Sequence, residues 1–565
     1  MKKKSYIEYV PVQSGVPVMK PYGHQIEALN KFRESDAIAL FFEMGCGKTF
    51  TTLAIAEDKF RRGLIEGLVV VAPNDVHKQW YNDLVNGVMI NGVLHRQLGV
   101  NVAAQCIGGR GGKSELASFN DDGYFHFVSV NVDTFSQPTK WKGIVDMVNN
   151  GRFMIAIDEA TCLKNPSSNR AKRLLYEFND TISRRGTVVW SAKKENTKYR
   201  AILTGTPVTN GTEDLWALME FVQPNYFGRN FYSFKDYFGM FVQITVDKNT
   251  DKERRVSVPM TEKTWEGIHA CYNYIQAFNI FGVTEDTYLT VKHQAHYMGA
   301  HKHADELTLQ LSKASMFKKL VECVDMPERS YIKRDLILSD AQKKAYKEMT
   351  EELFTLYKGT ICRAKSVLTA MIRLQQISSG FIVNTIEEQE EDTEDDTVVE
   401  KDLMPNEVQW LGESNPKLDA LMRDVRDSDK PLLILTKYSA EAQRIYELCE
   451  KAGYRTGLFT GWKVVGGVEA FKAGELDVLV ANTSKIARGF NLQISHTILF
   501  FSNSFSMEER QQAEFRTFRT GQKEKCVYVD YIAAPIDRVV LDTLQRKKDL
   551  LDEIRDGKIV EELVF

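Results

Sequence analysis

No two cysteines of this chain stand in a C-x-x-C pair; the eight present, at 46, 106, 162, 271, 323, 362, 449 and 526, are scattered. That spacing argues against a zinc ribbon and a disulfide framework, and it suits a reducing compartment. Nor does any uninterrupted apolar run approach the ~18 residues that a membrane span requires, so no membrane partner is expected. The opening Met1-Lys2-Lys3-Lys4-Ser5-Tyr6 is basic, but no apolar stretch follows it, which is not the pattern of a secretory signal. The expected location is the cytoplasm. A strong charge of either sign is missing too, since the net charge is −3. That balance conceals one acidic stretch. Residues 387–402 (EEQEEDTEDDTVVEKD) hold ten acids and one lysine, a net −9, which leaves the rest of the chain at +6. A mildly basic body is compatible with phosphate binding without demonstrating it.

What is present is a globular balance, 43% hydrophobic and 26% charged residues, in 565 residues, enough for about three to four domains. Apolar runs recur at 38–42 (IALFF), 68–72 (LVVVA), 125–130 (FHFVSV), 153–157 (FMIAI) and 200–203 (RAIL), separated by helix-length stretches. The pattern restarts at 431–436 (PLLILT), 476–481 (LDVLVA), 497–501 (TILFF) and 526–532 (CVYVDYI). Continuous rather than alternating runs suit strands buried on both faces of a parallel sheet. The expected fold class is α/β, two doubly wound parallel-sheet lobes with a largely helical insertion between them. The first lobe is expected over 1–224 and the insertion over 225–330, with a β-hairpin at 241–260. The second lobe begins with a helical 331–386, including helices over 340–358 and 361–377. An acidic loop or linker (387–407), the body of the second lobe (408–536) and a bracing C-terminal helix (537–565) follow.

Three segments carry chemistry. Glu43-Met44-Gly45-Cys46-Gly47-Lys48-Thr49 lies between a predicted strand and a predicted helix. Small residues let backbone N–H groups close around phosphates at a helix N-terminus, the lysine reaches the outer phosphates, and the threonine hydroxyl holds Mg²⁺. The strict G-x-x-x-x-G-K-[ST] pattern fails at its first position, Phe42, and taken alone the fragment is equally readable as a plain loop. In Ile155-Ala156-Ile157-Asp158-Glu159-Ala160 an apolar strand ends in two carboxylates. Asp158 is a hard oxygen ligand suited to Mg²⁺, and Glu159 suits the positioning of an attacking water. Arg516 and Arg519 stand three apart in a segment read as helix, so one face would carry both toward a γ-phosphate.

Taken together these segments resemble the Swi/Snf-like ATPases, the chromatin-remodeller-type branch of helicase superfamily two. Tyr22-Gly23-His24-Gln25 resembles the Q motif, which puts Gln25 on the adenine, and Val71-Ala72-Pro73 through Trp80 resembles the motif that follows the phosphate loop. Asp158-Glu159-Ala160-Thr161 with Leu163-Lys164-Asn165 resembles the D-E-A-H box and its trailing L-K-N. Leu203-Thr204-Gly205-Thr206-Pro207-Val208-Thr209-Asn210 with Leu215-Trp216-Ala217-Leu218 is the segment most diagnostic of the branch. Gly489-Phe490-Asn491-Leu492 and Gln512 to Gln522 resemble motifs V and VI. The resemblance implies RecA-like lobes with ATP and Mg²⁺ in the cleft between them, Gly489 among the nucleotide contacts. It also implies that Pro73, Thr209, Asn210, Thr436, Thr460 and Thr483 lie along a nucleic acid. Departures are the Phe42-Glu43 before the loop, Thr161 in place of histidine, and Asn482-Thr483-Ser484-Lys485-Ile486-Ala487 where motif V is usually glycine-rich.

The implied activity is ATP-dependent translocation on double-stranded DNA by a monomer, RNA being an alternative polymer. A strand-separating helicase is a second reading, and an ATP-binding switch without turnover is a third, from another class. No accessory domain is visible, which suggests a bacterial or phage origin. Other signals are weaker. Gly108-Gly109-Arg110-Gly111-Gly112-Lys113 reads as an exposed turn, and His293, His296, His301 and His303 as a polar face rather than a metal site. Arg546-Lys547-Lys548 reads as the solvated face of the bracing helix.

Overall fold

The computed structural model describes residues 7–240, 242–246, 254–258, 300–384 and 403–556, apart from 91, 109–115, 120–122, 185–186, 210, 302, 353, 358–359, 364–366, 413 and 487–489. These divide into two compact units, the first comprising 7–240, 301–325 and 550–556 and the second 242–246, 254–258, 300 and 326–549.

The runs without polar alternation become strands covered on both faces. The strands of the first unit's main sheet are β1 (Glu8–Val10), β2 (Ala37–Phe42), β3 (Gly67–Ala72), β4 (Val102–Ile107), β5 (Phe125–Asn131), β6 (Phe153–Asp158), β7 (Arg200–Leu203) and β8 (Ser315–Lys318), of which β1 is largely exposed. They form one sheet in the order β1-β4-β5-β3-β6-β7-β2-β8, parallel throughout except at β1, which runs antiparallel to β4. Every residue of β2, β3 and β6 is buried. On one face Ala37, Ala39 and Phe41 pack with Val69, Val71, Ile155 and Ile157 against the wholly buried helix Asp214–Val222. Full burial of a side chain such as Phe41 stabilises by ~1.5–3 kcal/mol.

The second unit repeats the plan with β9 (Arg329–Asp335), β10 (Leu432–Thr436), β11 (Thr456–Phe459), β12 (Val464–Val465), β13 (Val478–Asn482), β14 (Thr497–Phe500) and β15 (Cys526–Ile532). Their order is β9-β15-β14-β10-β13-β11-β12, and only the β11–β12 pairing is antiparallel. The helix Pro535–Asp556 begins on this unit, where Asp537 accepts from Lys417 Nζ at 2.9 Å and Ser378 Oγ at 2.6 Å. Lys547 donates to the Phe505 carbonyl at 3.1 Å.

Ser315–Lys318, assigned to the insertion, is instead the strand flanking β2, with Phe317 opposite Phe41. The helix expected over 340–358 ends at Glu352, and Phe354–Tyr357 pairs antiparallel with Thr360–Arg363, because aromatic and β-branched residues there favour a pleated strand. Within the insertion, Val242–Val246 pairs antiparallel with Arg254–Val258, while 259–299, with His293 and His296, lies outside the described residues. So do Gly109 to Lys113 and most of the acidic stretch. Phe381–Val383 and Val408–Trp410, which flank that stretch, pair with each other. Among the described residues no helix is long and apolar enough to cross a membrane.

Candidate active site

In the first sheet the motif residues follow the carboxyl ends of β2, β3, β6 and β7, where parallel α/β sheets bind ligands. Between the helices α1 (Gly23–Phe32) and α2 (Lys48–Arg61), β2 ends at Phe42 and the chain turns through Gly45 (φ +89°) and Gly47 (φ +75°) into α2. Both glycines occupy the left-handed region that costs other residues energy. Gly47 is the N-cap and supplies no side chain to the free N–H groups of α2, which leaves them available to an anion. Lys48, 9% exposed, donates from Nζ to the Phe42 carbonyl at 3.0 Å. An ammonium has three donors, so two stay available to phosphate oxygens.

The loop is held from two sides. In front, Gln25 (3% exposed) accepts from Tyr22 N at 2.8 Å and donates to the Gly47 carbonyl at 3.5 Å, while His24 Nε2 lies 2.8 Å from the Cys46 carbonyl oxygen. Behind, the Glu43 carboxylate accepts from Leu320 N at 2.8 Å, and Glu43 N donates to the Lys318 carbonyl at 2.9 Å. The side chain of Leu320 lies beneath Gly45. The Cys46 thiol donates to the Lys318 carbonyl at 3.8 Å, and its hydrogen bond with Cys323, together with burial, pushes its pKa well above the ordinary thiol range. Cys46 is therefore a neutral packing group. Thr49 stands one residue after Lys48, half-buried.

Asp158 closes β6, two strands from β2, with Leu203 of the intervening β7 opposite it. Its carboxylate is 6% exposed. Oδ2 accepts from the Trp80 indole at 2.7 Å and Oδ1 from Glu159 N at 2.9 Å. Burial, and next the charge of Glu159, pushes the Asp158 pKa up to about 6, while the Lys48 ammonium opposes the shift. Lys48 and Asp158, 110 residues apart, thus share one electrostatic environment. Glu159 has φ 49°, ψ 60°, a left-handed conformation in a residue other than glycine, a strained backbone of the kind retained where the surroundings over-determine it. The hydroxyl of Thr49 and the carboxylate of Asp158 are hard oxygen donors that fit Mg²⁺, which takes few protein ligands beside phosphate and water. Among the described residues no group of three or more His, Cys, Asp or Glu forms a separate metal site.

The segment after β7 is tied to the carboxylate box. Lys164 of the L-K-N donates to the Thr206 carbonyl at 2.7 Å and to Thr209 Oγ1 at 3.1 Å, and lies 3.7 Å from Asp214. Asp214 in turn accepts from Thr209 N at 2.8 Å and Thr209 Oγ1 at 3.0 Å. Pro73 is the N-cap of α3, the helix Asn74–Asn86, and Asn210 lies outside the described residues.

In the second unit Thr436 ends β10, Thr460 and Thr483 follow the ends of the neighbouring strands β11 and β13, and all three are buried. Their hydroxyls donate to the carbonyls of Tyr438 (3.1 Å), Lys463 (3.0 Å) and Thr436 (3.2 Å) respectively. The helix carrying Arg516 spans Met507–Thr517, so Arg519 lies beyond its C-terminus and the shared helical face expected of the pair does not exist. Thr520-Gly521-Gln522 is a turn, closed by Gln522 N donating to the Arg519 carbonyl at 3.0 Å. Arg516 is buried and donates to the Phe490 carbonyl at 3.2 Å, and burial lowers the Arg519 pKa. Gly489 lies outside the described residues.

Sequence reasoning missed Glu43, Lys318 and Leu320 as braces of the loop and Trp80 as the partner of Asp158. Only the trailing Lys164 had a sequence signal, its L-K-N.

A phosphate-type loop and a carboxylate box on adjoining ends of one parallel sheet define a nucleotide-site fold. The family model described as the SNF2-related domain matches residues 24–380, more than half of the chain, and the chain belongs to that family. This is the family to which the motif order pointed. Among curated relatives, Protein CHROMATIN REMODELING 24 of Arabidopsis thaliana is 25% identical over 46% of this chain and 22% of its own length. The DNA repair protein rhp54 of Schizosaccharomyces pombe is 23% identical over 91% of this chain and 55% of its own length. The chain thus spans between about a fifth and just over half of these relatives. The solved Sulfolobus solfataricus SWI2/SNF2 ATPase core in complex with dsDNA covers 97% of this chain and 96% of its own, at 17% identity and TM-score 0.36, too loose a likeness to carry an argument.

Proposed function

We propose that the chain is an ATP-driven translocase on double-stranded DNA. The observation that carries the proposal is the placement of Lys48, after β2, and Asp158, ending β6, at the carboxyl ends of one sheet beside an uncapped helix N-terminus. In this reading Lys48 exchanges the Phe42 carbonyl for the outer phosphates of ATP, and the backbone N–H groups of 44–49 take the remaining oxygens. Gln25 recognises the adenine. Thr49 and Asp158 hold Mg²⁺, which when bound neutralises charge on the phosphates. Glu159 orients the attacking water. Arg516 and Arg519 of the second unit stabilise the charge of the transition state, so replacing either slows turnover more than it weakens ATP binding.

The printed names of the relatives, for DNA repair and chromatin remodelling, favour DNA over RNA as the polymer. Phosphate contacts to a duplex are largely sequence-independent and weaken as salt rises. Pro73, Thr209 and Asn210 are assigned to this track in the first unit. Thr436, Thr460 and Thr483 are assigned to the track in the second unit, each hydroxyl exchanging its carbonyl partner for a phosphate oxygen.

The test is ATP turnover against a panel of duplex, single-stranded and forked DNA and of RNA. Duplex DNA is expected to stimulate most; stimulation by RNA alone overturns the substrate. Displacement of a triplex strand without unwinding of a fork separates translocation from strand separation. Lys48→Ala is expected to lose turnover with the fold intact, and normal turnover in that variant removes the site.

A further inference from the structure

The geometry points to Trp80 as a positioning residue that presets the Asp158 carboxylate for Mg²⁺. This rests on the nucleotide-site reading above. Trp80 lies on α3, which follows β3, and β3 is the sheet neighbour of β6, with Val71 opposite Ile157. The indole is 2% exposed, and its N–H meets Oδ2 of Asp158 at 2.7 Å. An indole N–H is a donor only. It neither titrates nor binds a metal, so its one polar role here is to fix the acceptor.

The second oxygen is fixed as well, because Oδ1 accepts the Glu159 N–H at 2.9 Å. With one hydrogen bond on each oxygen, the carboxylate cannot rotate about its Cβ–Cγ bond without breaking one of them. Each oxygen keeps a further lone pair for a cation or a cation-bound water. The plane is thus set before any ligand arrives. Mg²⁺ demands near-ideal octahedral geometry, which makes a preset oxygen valuable. Partners of metal ligands typically change metal affinity by ~10–100-fold. A tryptophan serving only as core packing would leave that affinity untouched.

The test uses the full chain and a fluorescent ATP analogue titrated with Mg²⁺ and, separately, in EDTA. Trp80→Phe keeps an aromatic ring and removes the donor. We expect the Mg²⁺ concentration for half-maximal tight binding to rise roughly 10-fold, with affinity in EDTA unchanged. An unchanged Mg²⁺ dependence overturns the proposal, as does an equal loss with and without metal. A second measurement avoids altering Trp80. In the ¹⁵N spectrum of the seven tryptophan indoles, Asp158→Asn should move one signal upfield, and Mg²⁺-ADP should move that same signal in the wild type. If no indole signal responds to Asp158→Asn, the contact is absent and the proposal fails. A wild-type chain that binds no nucleotide sinks the site reading and this proposal with it. A wild-type Mg²⁺ response that Trp80→Phe leaves intact sinks this proposal alone.

Discussion

Gly47→Ala is the substitution whose cost the structure specifies most closely. Gly47 has φ +75°, and a Cβ built there lies 2.2 Å from Gln25 Nε2. The left-handed backbone costs an L-residue about 1–2 kcal/mol. The overlap is relieved only if the Gln25 amide moves, which breaks its 2.8 Å bond from Tyr22 N, a contact contributing about 1 kcal/mol net. The two parts sum to about 2–3 kcal/mol. At ~2–4 °C per kcal/mol for a unit of roughly this size, the first unit should melt about 5–10 °C lower. The assay is a double-mutant cycle: thermal unfolding of the wild type, Gly47→Ala, Gln25→Ala and the pair. Gln25→Ala removes the atom that Ala would strike, so the pair should cost about 1 kcal/mol less than the sum of the single changes. Additive costs would refute the packing of Gln25 on the loop. A single-mutant cost below about 0.5 kcal/mol would refute the backbone argument as well.

Other outcomes are open to measurement. Arg510 is buried, donates to Asp530 Oδ2 at 3.0 Å and Glu514 Oε1 at 2.8 Å, and stacks 3.6 Å from the Phe500 ring centroid. Arg510→Ala leaves buried carboxylates unpaired and should destabilise the second unit by about 3–5 kcal/mol in denaturant unfolding; under 1 kcal/mol contradicts the network. Burial pushes the Glu220 pKa up to about 7, more than its bond from Asn225 N (2.8 Å) and the nearby Arg200 pull it down. The folded form therefore binds an extra proton between about pH 4.5 and 7, and stability falls as pH rises through that window. Glu220→Gln should flatten this slope and stabilise at pH 8 by up to roughly 3 kcal/mol; an unchanged slope refutes the assignment.

The sheets were legible because their strands are buried on both faces, which prints continuous apolar runs. Cys526–Ile532 lies where CVYVDYI put it, and Phe153–Asp158 ends on the carboxylate that the motif required. β4 was not legible, because Gln105 interrupts it, satisfied by the backbone of Ala117 at 2.8 and 3.0 Å. β8 escaped because Ser315-Met-Phe-Lys is only four residues long and lies far along the chain from its partner β2. In the site, local signals named Gly47, Lys48 and Asp158. The contacts that hold them, Trp80 to Asp158 and Leu320 to Glu43, span 78 and 277 residues. No periodicity records a pairing of that kind. Arg519 shows the opposite failure, since helical spacing was extended past Phe518, the C-cap that ends the helix one residue before it.

The return of the chain at 315–320 has a practical consequence for dissecting the protein. A fragment stopping at residue 240 would strip β2 of its outer neighbour, leaving a row of peptide groups at the rim of an apolar strand, a template for self-association. It would also leave the Glu43 carboxylate without the amide that Leu320 supplies. Halves cut at the obvious place would therefore aggregate and lose the shape of the glycine turn, and a faithful first half needs residues 301–325 joined back to it.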